Sequence, residues 1–264
     1  MPRSLMLSVL LAAAASLGAC GDDSHDDLGG PVDLLGADLP VSLPDLSVCP
    51  IPFQGFPGDS PSERRLDCTL CGCEIDSLSK AAEEGLWAKT STGATLTDST
   101  PGIYILTDGV SGPAFATLSS LNVAGPFYLD GDFDLRVDYL ISLQSYATHV
   151  ALRVDLPDGT FYEVARKSSS TGSNTYAAQL GGLATAIPAA VDQGTLRLVR
   201  TATTITAYGD ADQVGKNLAS GAGRVALYLS AGIDGCFAAD GGSCTLVTTL
   251  HDVRLTTGAL VDRR

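Results

Sequence analysis

From Trp87 almost to the C-terminus, short runs of Val, Ile, Leu, Thr and Tyr alternate with turns rich in Gly, Asp, Ser and Pro. That rhythm admits little except an all-β sandwich or barrel. Phe133, Leu135, Val137, Tyr139 and Ile141 alternate with Asp134, Arg136 and Asp138, the period-two pattern of a strand with one buried face. Val150, Leu152, Val154 and Leu156 repeat it, and Pro157-Asp158-Gly159 then turns the chain into Thr160–Lys167, so 149–167 reads as a β-hairpin. A second hairpin joins Thr195–Arg200 to Thr204–Tyr208, and later strands are expected over Gly223–Ser230 and Thr245–Leu255. Weaker strand signals lie at Ala94–Thr97, Gly102–Leu106, Ala114–Leu118 and Tyr176–Leu180. By periodicity Trp87, Phe133 and Tyr139 belong to the core. No βαβ alternation occurs, which argues against a parallel sheet. One short helix is expected over 77–84, where Lys80, Ala81, Ala82, Glu83 and Glu84 favour it and Gly85 ends it.

The N-terminal region is of another kind. Arg3, an apolar run from Leu5 to Leu17 and the small residues Gly18 and Ala19 form the three parts of a secretory signal, too short to span a bilayer. The tetrad Leu17-Gly18-Ala19-Cys20 resembles the lipobox of bacterial lipoproteins. That resemblance implies cleavage before Cys20 and lipidation of its thiol, with several acyl chains making a durable anchor. Residues 21–48 hold seven Asp, no Lys or Arg and no aromatic residue. Such a stretch cannot bury enough surface to fold alone and reads as a solvated spacer.

Cysteine arithmetic supports the lipobox independently. Of seven cysteines, Cys20 is consumed, leaving Cys49, Cys68, Cys71, Cys73, Cys236 and Cys244. An even remainder in an exported chain reads as three disulfides. Cys236 and Cys244 flank a short Gly- and Ala-rich loop and are expected to pair. The other four allow three connectivities. Four thiolates also invite a zinc reading, but Cys68-x-x-Cys71-x-Cys73 with Cys49 upstream lacks the two separated Cys pairs of a zinc ribbon. The organisation expected is a signal peptide over 1–19, a lipidated Cys and acidic linker over 20–48, a Cys-rich segment over 49–74 and a β-sandwich domain over 75–260.

The formal charge is -14. A surface this acidic argues against nucleic acid, whose binding sites cluster Lys and Arg, and against electrostatic docking on anionic lipid. The implied setting is a bacterial cell envelope, with the protein tethered by lipid on the periplasmic face or the cell surface.

The run Leu129-Asp130-Gly131-Asp132-Phe133-Asp134-Leu135-Arg136-Val137 is similar to a segment of concanavalin A-like lectin/glucanase domains. Gly194-Thr195-Leu196-Arg197-Leu198-Val199-Arg200 resembles the same group's Leu-Arg-x-x-Arg strand, and Leu250-His251-Asp252-Val253-Arg254-Leu255 its final strand. The likeness covers about residues 86–257 and implies a two-sheet jelly roll, a fold that hosts lectins, glycosidases, lyases and structural modules.

Glucanases of that group carry a Glu-x-Asp-x-x-Glu strand, since a retaining glycosidase needs two carboxyls close together. Here Asp130, Asp132 and Asp134 come nearest, without a Glu. They read first as a solvated or loop-proximal face and are the set considered for a calcium ion; no other cofactor is expected. No Gly-x-Ser-x-Gly elbow is present. His149 and His251 would form a metal pair only if their strands were neighbours. Tyr146 and Tyr162, near loop or hairpin positions, are the residues expected to contact a sugar. The reading is a non-catalytic, lipid-anchored module binding a glycan or another surface component. The alternatives are a structural or adhesive lipoprotein and, less favoured by the missing acid strand, a polysaccharide hydrolase or lyase.

Overall fold

The structure, a computed structural model, describes residues 49–56, 62–110, 112–219, 223–235 and 243–262. Among them the strands are β1 (Ile51–Pro52), β2 (Arg65–Asp67), β3 (Cys73–Asp76), β4 (Ala88–Thr92), β5 (Thr95–Asp98) and β6 (Ile103–Val110). There follow β7 (Ala114–Ser119), β8 (Tyr128–Gln144), β9 (Thr148–Asp155), β10 (Phe161–Ser168), β11 (Asn174–Leu180) and β12 (Leu183–Pro188). The last five are β13 (Gln193–Thr201), β14 (Thr204–Gly209), β15 (Asp212–Leu218), β16 (Ala226–Ile233) and β17 (Cys244–Val261).

They form two sheets, one of ten strands on the path β1-β3-β17-β8-β13-β14-β15 with β2, β5 and β6 attached, and one of seven in the order β12-β11-β10-β9-β16-β7-β4. The pairings are antiparallel except β1 with β3. The chain is a two-sheet jelly-roll sandwich: the alternation implied a sandwich or barrel, and the resemblance implied the jelly roll. Both expected hairpins form, with Phe161 opposite Asp155 and Thr201 opposite Thr204. In the first turn Gly159 adopts φ +84° and Asp158 Oδ1 accepts the Thr160 amide at 2.8 Å.

The core lies between the sheets. Leu135, Val137 and Tyr139 of β8 face Leu152 and Val154 of β9 and Leu227 and Leu229 of β16, all 1% exposed or less. Each such apolar side chain contributes about 1.5–3 kcal/mol on burial. Two inward polar features cross this core. Arg166 and Arg200 are both almost fully buried. Arg200 lies over the Phe133 ring and donates Nε to the Gly131 carbonyl at 2.8 Å and Nη1 to the Gly223 carbonyl at 2.7 Å. Burial pushes its pKa below the ordinary guanidinium value. The Gly-Asp-Phe-Asp and Leu-Arg-x-x-Arg segments, read separately in the sequence, thus grip each other: Arg197 clamps Asp134 through two bonds of 2.7 Å.

The Cys-rich segment is built onto this sandwich. Its connectivity is Cys49–Cys71 and Cys68–Cys73, with Cα separations of 5.5 and 5.2 Å, so these four thiols are disulfides and not zinc ligands. Cys244 is disulfide-bonded, while its expected partner Cys236 lies outside the described residues, as do Cys20 and the whole of 1–48. β1, β2 and β3 pair with each other or with β17. A chain of edge-to-face rings, Phe56, Phe53, Phe127 and Trp87, with centroids 5.1–5.5 Å apart, continues the attachment.

The helix expected over 77–84 does not form. The segment is a series of turns in which Ala81 donates to the Leu78 carbonyl and Glu83 and Glu84 both donate to that of Lys80. Eight residues cannot repay helix nucleation on propensity alone. Competing bonds fix the turns instead: Asp76 Oδ1 takes the Leu78 amide at 2.8 Å and Asp98 Oδ1 the Ala82 amide at 2.5 Å.

Candidate functional site

At one end of the sandwich the connections β8–β9 and β10–β11 and the start of β17 enclose a hollow of about 400 Å³. Tyr146, from the first connection, is 51% exposed and lines it. The ring lies against Gly172, whose φ of +84° suits glycine and where a Cβ would stand 2.9 Å from Tyr146 Cε1. The β10–β11 turn is fixed from within: Ser169 Oγ accepts the amides of Thr171 at 3.2 Å and Ser173 at 3.0 Å. Across the mouth, Ser145 Oγ accepts the Thr245 amide at 2.9 Å, tying the β8–β9 connection to β17.

The rest of the lining is Gln144, Ser145, Ser168, Asn174, Ser243 and Cys244, without a formal charge. Gln144 Nε2 donates to Asn174 Oδ1 at 3.3 Å, while Gln144 Oε1 is buried without a hydrogen-bond partner. An unsatisfied buried acceptor is costly, and this one lies in the polar wall of the hollow. An exposed ring ringed by carboxamides and hydroxyls suits a neutral polyhydroxylated molecule, whose C–H face can lie on the ring.

The other residues singled out from the sequence lie elsewhere. Tyr162 does not join Tyr146: it points inward from β10, is 1% exposed and packs in the core. Its strand parity decides this, since Tyr162, Val164 and Arg166 share the inner face. Asp130, Asp132 and Asp134 do lie on the outward side of β8, but Gly131 takes φ +72° within the strand and each acid has its own partner. Asp130 pairs with Arg65 and Arg224, and Asp132 accepts the Ala202 amide at 2.7 Å. Asp134 is held by Arg197 and, at 3.3 Å, by Arg136. Burial works to raise the Asp130 pKa, yet Arg65 and Arg224 bring it below the usual carboxylate range.

The two histidines are on different sheets. His149 Nδ1 meets Asp234 at 2.9 Å, and His251 Nδ1 meets Asp252 at 3.1 Å. That bond to His149 holds Asp234 below the usual carboxylate pKa. The one set of three metal-type ligands drawn together among the described residues is Asp138, His251 and Asp252, with ligand atoms within 4.8 Å of one another. It arises from a bulge in β17 between His251 and Arg254 that turns Asp252 outward at φ +54°. Nothing in the alternation of the sequence marks a bulge there.

The outer face of the seven-stranded sheet carries a second group that the sequence reading passed over. A register row of small residues, Thr117, Ser230, Ala151, Ala165, Ala177 and Ala186, crosses six strands. Beside it Arg153 stacks 4.0 Å from the Phe161 ring centre and bonds Asp155 at 2.5 and 2.9 Å. Glu163 and Lys167 pair at 3.5 Å on the same strand face as Ala165. The outward parity of β9 and β10 was the available signal for these residues.

Neither a known protein-family profile nor a curated protein sequence matches the chain. Solved structures do. A Crh5 transglycosylase in complex with NAG superposes with a TM-score of 0.51 at 11% identity, over 75% of this chain and 85% of that one. The Emp47p carbohydrate recognition domain gives 0.48 at 9% identity, over 70% and 94%. A Bacillus licheniformis beta-glucanase gives 0.45 at 11% identity, over 70% and 98%. At such identities the likeness is one of fold, and the fold is the concanavalin A-like two-sheet jelly roll.

Proposed function

We propose that this chain is a lipid-anchored envelope protein whose sandwich binds a neutral glycan without cleaving it. The observation that carries the reading is the hollow at Tyr146: an exposed ring seated on Gly172, beside Gln144 with an unmatched acceptor and a rim of hydroxyls and carboxamides. A fold shared with a transglycosylase solved in complex with NAG agrees with a sugar ligand. The ion pairing of three outward acids agrees with binding in preference to cleavage at those acids. Asp134 and Asp155 are each held by an arginine and Glu163 by Lys167, whereas a glycosidase keeps one carboxyl protonated and a second free to act. Lipidation of Cys20 and the acidic spacer after it would hold this module off a membrane.

The test is a glycan array probed with the full chain, followed by titration of the best neutral oligosaccharide. Tyr146→Ala is expected to weaken binding at least tenfold, as loss of a stacking ring does, with the melting temperature unchanged because the ring is half exposed. Silence across diverse neutral glycans, or full binding by the variant, would sink the proposal. The anchor is tested separately. Cys20→Ser should block processing and shift the protein out of the detergent phase on partitioning, and unchanged partitioning would refute lipidation.

A further inference from the structure

A hollow of about 620 Å³, larger than the one at Tyr146, opens where the Cys-rich segment packs on the sandwich. Phe53, Phe56 and Leu86 supply apolar surface, and Glu74, Asp76 and Glu84 supply carboxylates. No Lys, Arg or His is among its lining residues. Glu74 and Glu84 form no ion pair among the described residues. We propose that this hollow binds an organic ammonium ion, a protonated amine carried on an apolar framework.

Three lines support that ligand class. The volume is that of a small-molecule site, about 300–1,000 Å³. Carboxylates beside aromatic rings, with no cation in the lining, favour a cationic ligand both by charge and by the negative faces of the rings. Phe56 already serves in this way within the protein, with the Arg64 guanidinium carbon 5.4 Å from its centre.

The innermost acid adds to the case. Asp76 accepts Trp87 Nε1 at 2.6 Å and the Leu78 amide at 2.8 Å. Burial nonetheless pushes its pKa up, and the charge of Asp98 adds to the push. Its negative charge is therefore under-compensated, and a cation in the hollow would relieve it.

A single metal ion fits less well. Among the described residues only Asp138, His251 and Asp252 bring three ligand atoms within 4.8 Å of one another, so Glu74, Asp76 and Glu84 stand too far apart to share one ion. They can still surround a larger organic cation.

The test titrates the full chain at neutral pH and low salt with phenethylammonium, its neutral counterpart 2-phenylethanol, and calcium. The expected result is saturable binding of the ammonium with a raised melting temperature, and none for the alcohol. The double variant Glu74→Gln, Glu84→Gln should bind the ammonium about tenfold more weakly, and Tyr146→Ala should bind it unchanged. If the double variant melts early, Glu84→Gln alone at its exposed position gives the same reading with a smaller, roughly threefold loss. Absence of ammonium binding, equal binding of the alcohol, affinity unmoved by the carboxamides, or displacement by calcium would each overturn the proposal.

Discussion

Gly209 stands where no other side chain fits. A Cβ there would meet the Tyr176 ring at 2.2 Å, and Tyr176 is fixed in turn by donating to Asp210 Oδ2 at 2.5 Å and by its hydrogen bond with the Tyr139 hydroxyl at 2.8 Å. The ring cannot withdraw without breaking both bonds, so Gly209→Ala should cost about 3 kcal/mol in urea unfolding, the upper range for overpacking. Gly159 makes the contrast: it has φ +84° but open space around it. Gly159→Ala should cost only the strain of the left-handed backbone, about 1 kcal/mol. Equal losses for the two would show that the Tyr176 ring is freer than its bonds suggest. Residue-level chemistry of this kind is poorly legible in a sequence. The acids at 130, 132 and 134 have the spacing of a ligand set, but whether spacing becomes a site depends on distant partners. Arg197 lies 63 positions from Asp134 and takes both its oxygens.

At the scale of elements, legibility follows burial. Strands with one face in the core, such as β8, β9, β10 and β16, carry an alternation that burial itself imposes. Those that escaped reading lie at sheet edges or in the Cys-rich segment: β4 and β15 are mostly exposed, β12 ends its sheet, and β1 and β2 have two and three residues. With little to bury, these have little to pattern, and β3, though Cys73 and Ile75 are buried, is too short at four residues to show a period. Of the candidate site, Tyr146 was legible as a loop aromatic, whereas Gln144, Ser168 and Ser243 meet it only through the topology. The small strands depend on covalent support. Cys49–Cys71 closes a separation of 22 residues and Cys68–Cys73 one of 5, while β17 gives β2 and β3 only three paired positions each. Replacing all four cysteines by Ala should therefore release 49–76 before the sandwich unfolds. By hydrogen exchange, the amides of Ile51, Phe53 and Gly72, which are bonded within this segment, should lose protection while those of β9 and β16 keep it. A single cooperative transition that exposes both sets together would contradict this.

Across the whole molecule the Tyr139–Tyr176 bond joins the two sheets, since Tyr139 belongs to β8 and Tyr176 to β11. The two phenols carry a polar bridge from the interior to Asp210 at the surface, and Asp210 extends it to the Thr195 amide at 2.9 Å. Burial raises both phenol pKa values above the ordinary 10, and in Tyr176 the hydrogen bond to Asp210 raises it further. A group whose folded pKa lies above its unfolded value contributes its stability in full below the unfolded pKa. That contribution is lost as pH rises from there through the folded pKa. The loss falls on the alkaline side, beginning about one unit below the ordinary phenol pKa of about 10, because the unfolded phenols ionise while the folded ones stay protonated. Stability should hold level to about pH 9 and then fall, with a slope approaching about 1.4 kcal/mol per pH unit for each proton the fold retains. General repulsion in a chain of charge -14 would also weaken the fold at high pH, so the wild type alone does not separate the causes. Tyr176→Phe does. It removes a bond to Asp210 and one to Tyr139, costing about 1–2 kcal/mol at pH 7, and it should flatten the decline above pH 10 by one proton's slope. Urea midpoints from pH 7 to 11 for both proteins would measure this directly. An unchanged alkaline slope in the variant would mean that the bridge between the sheets does not govern the high-pH limit of the fold.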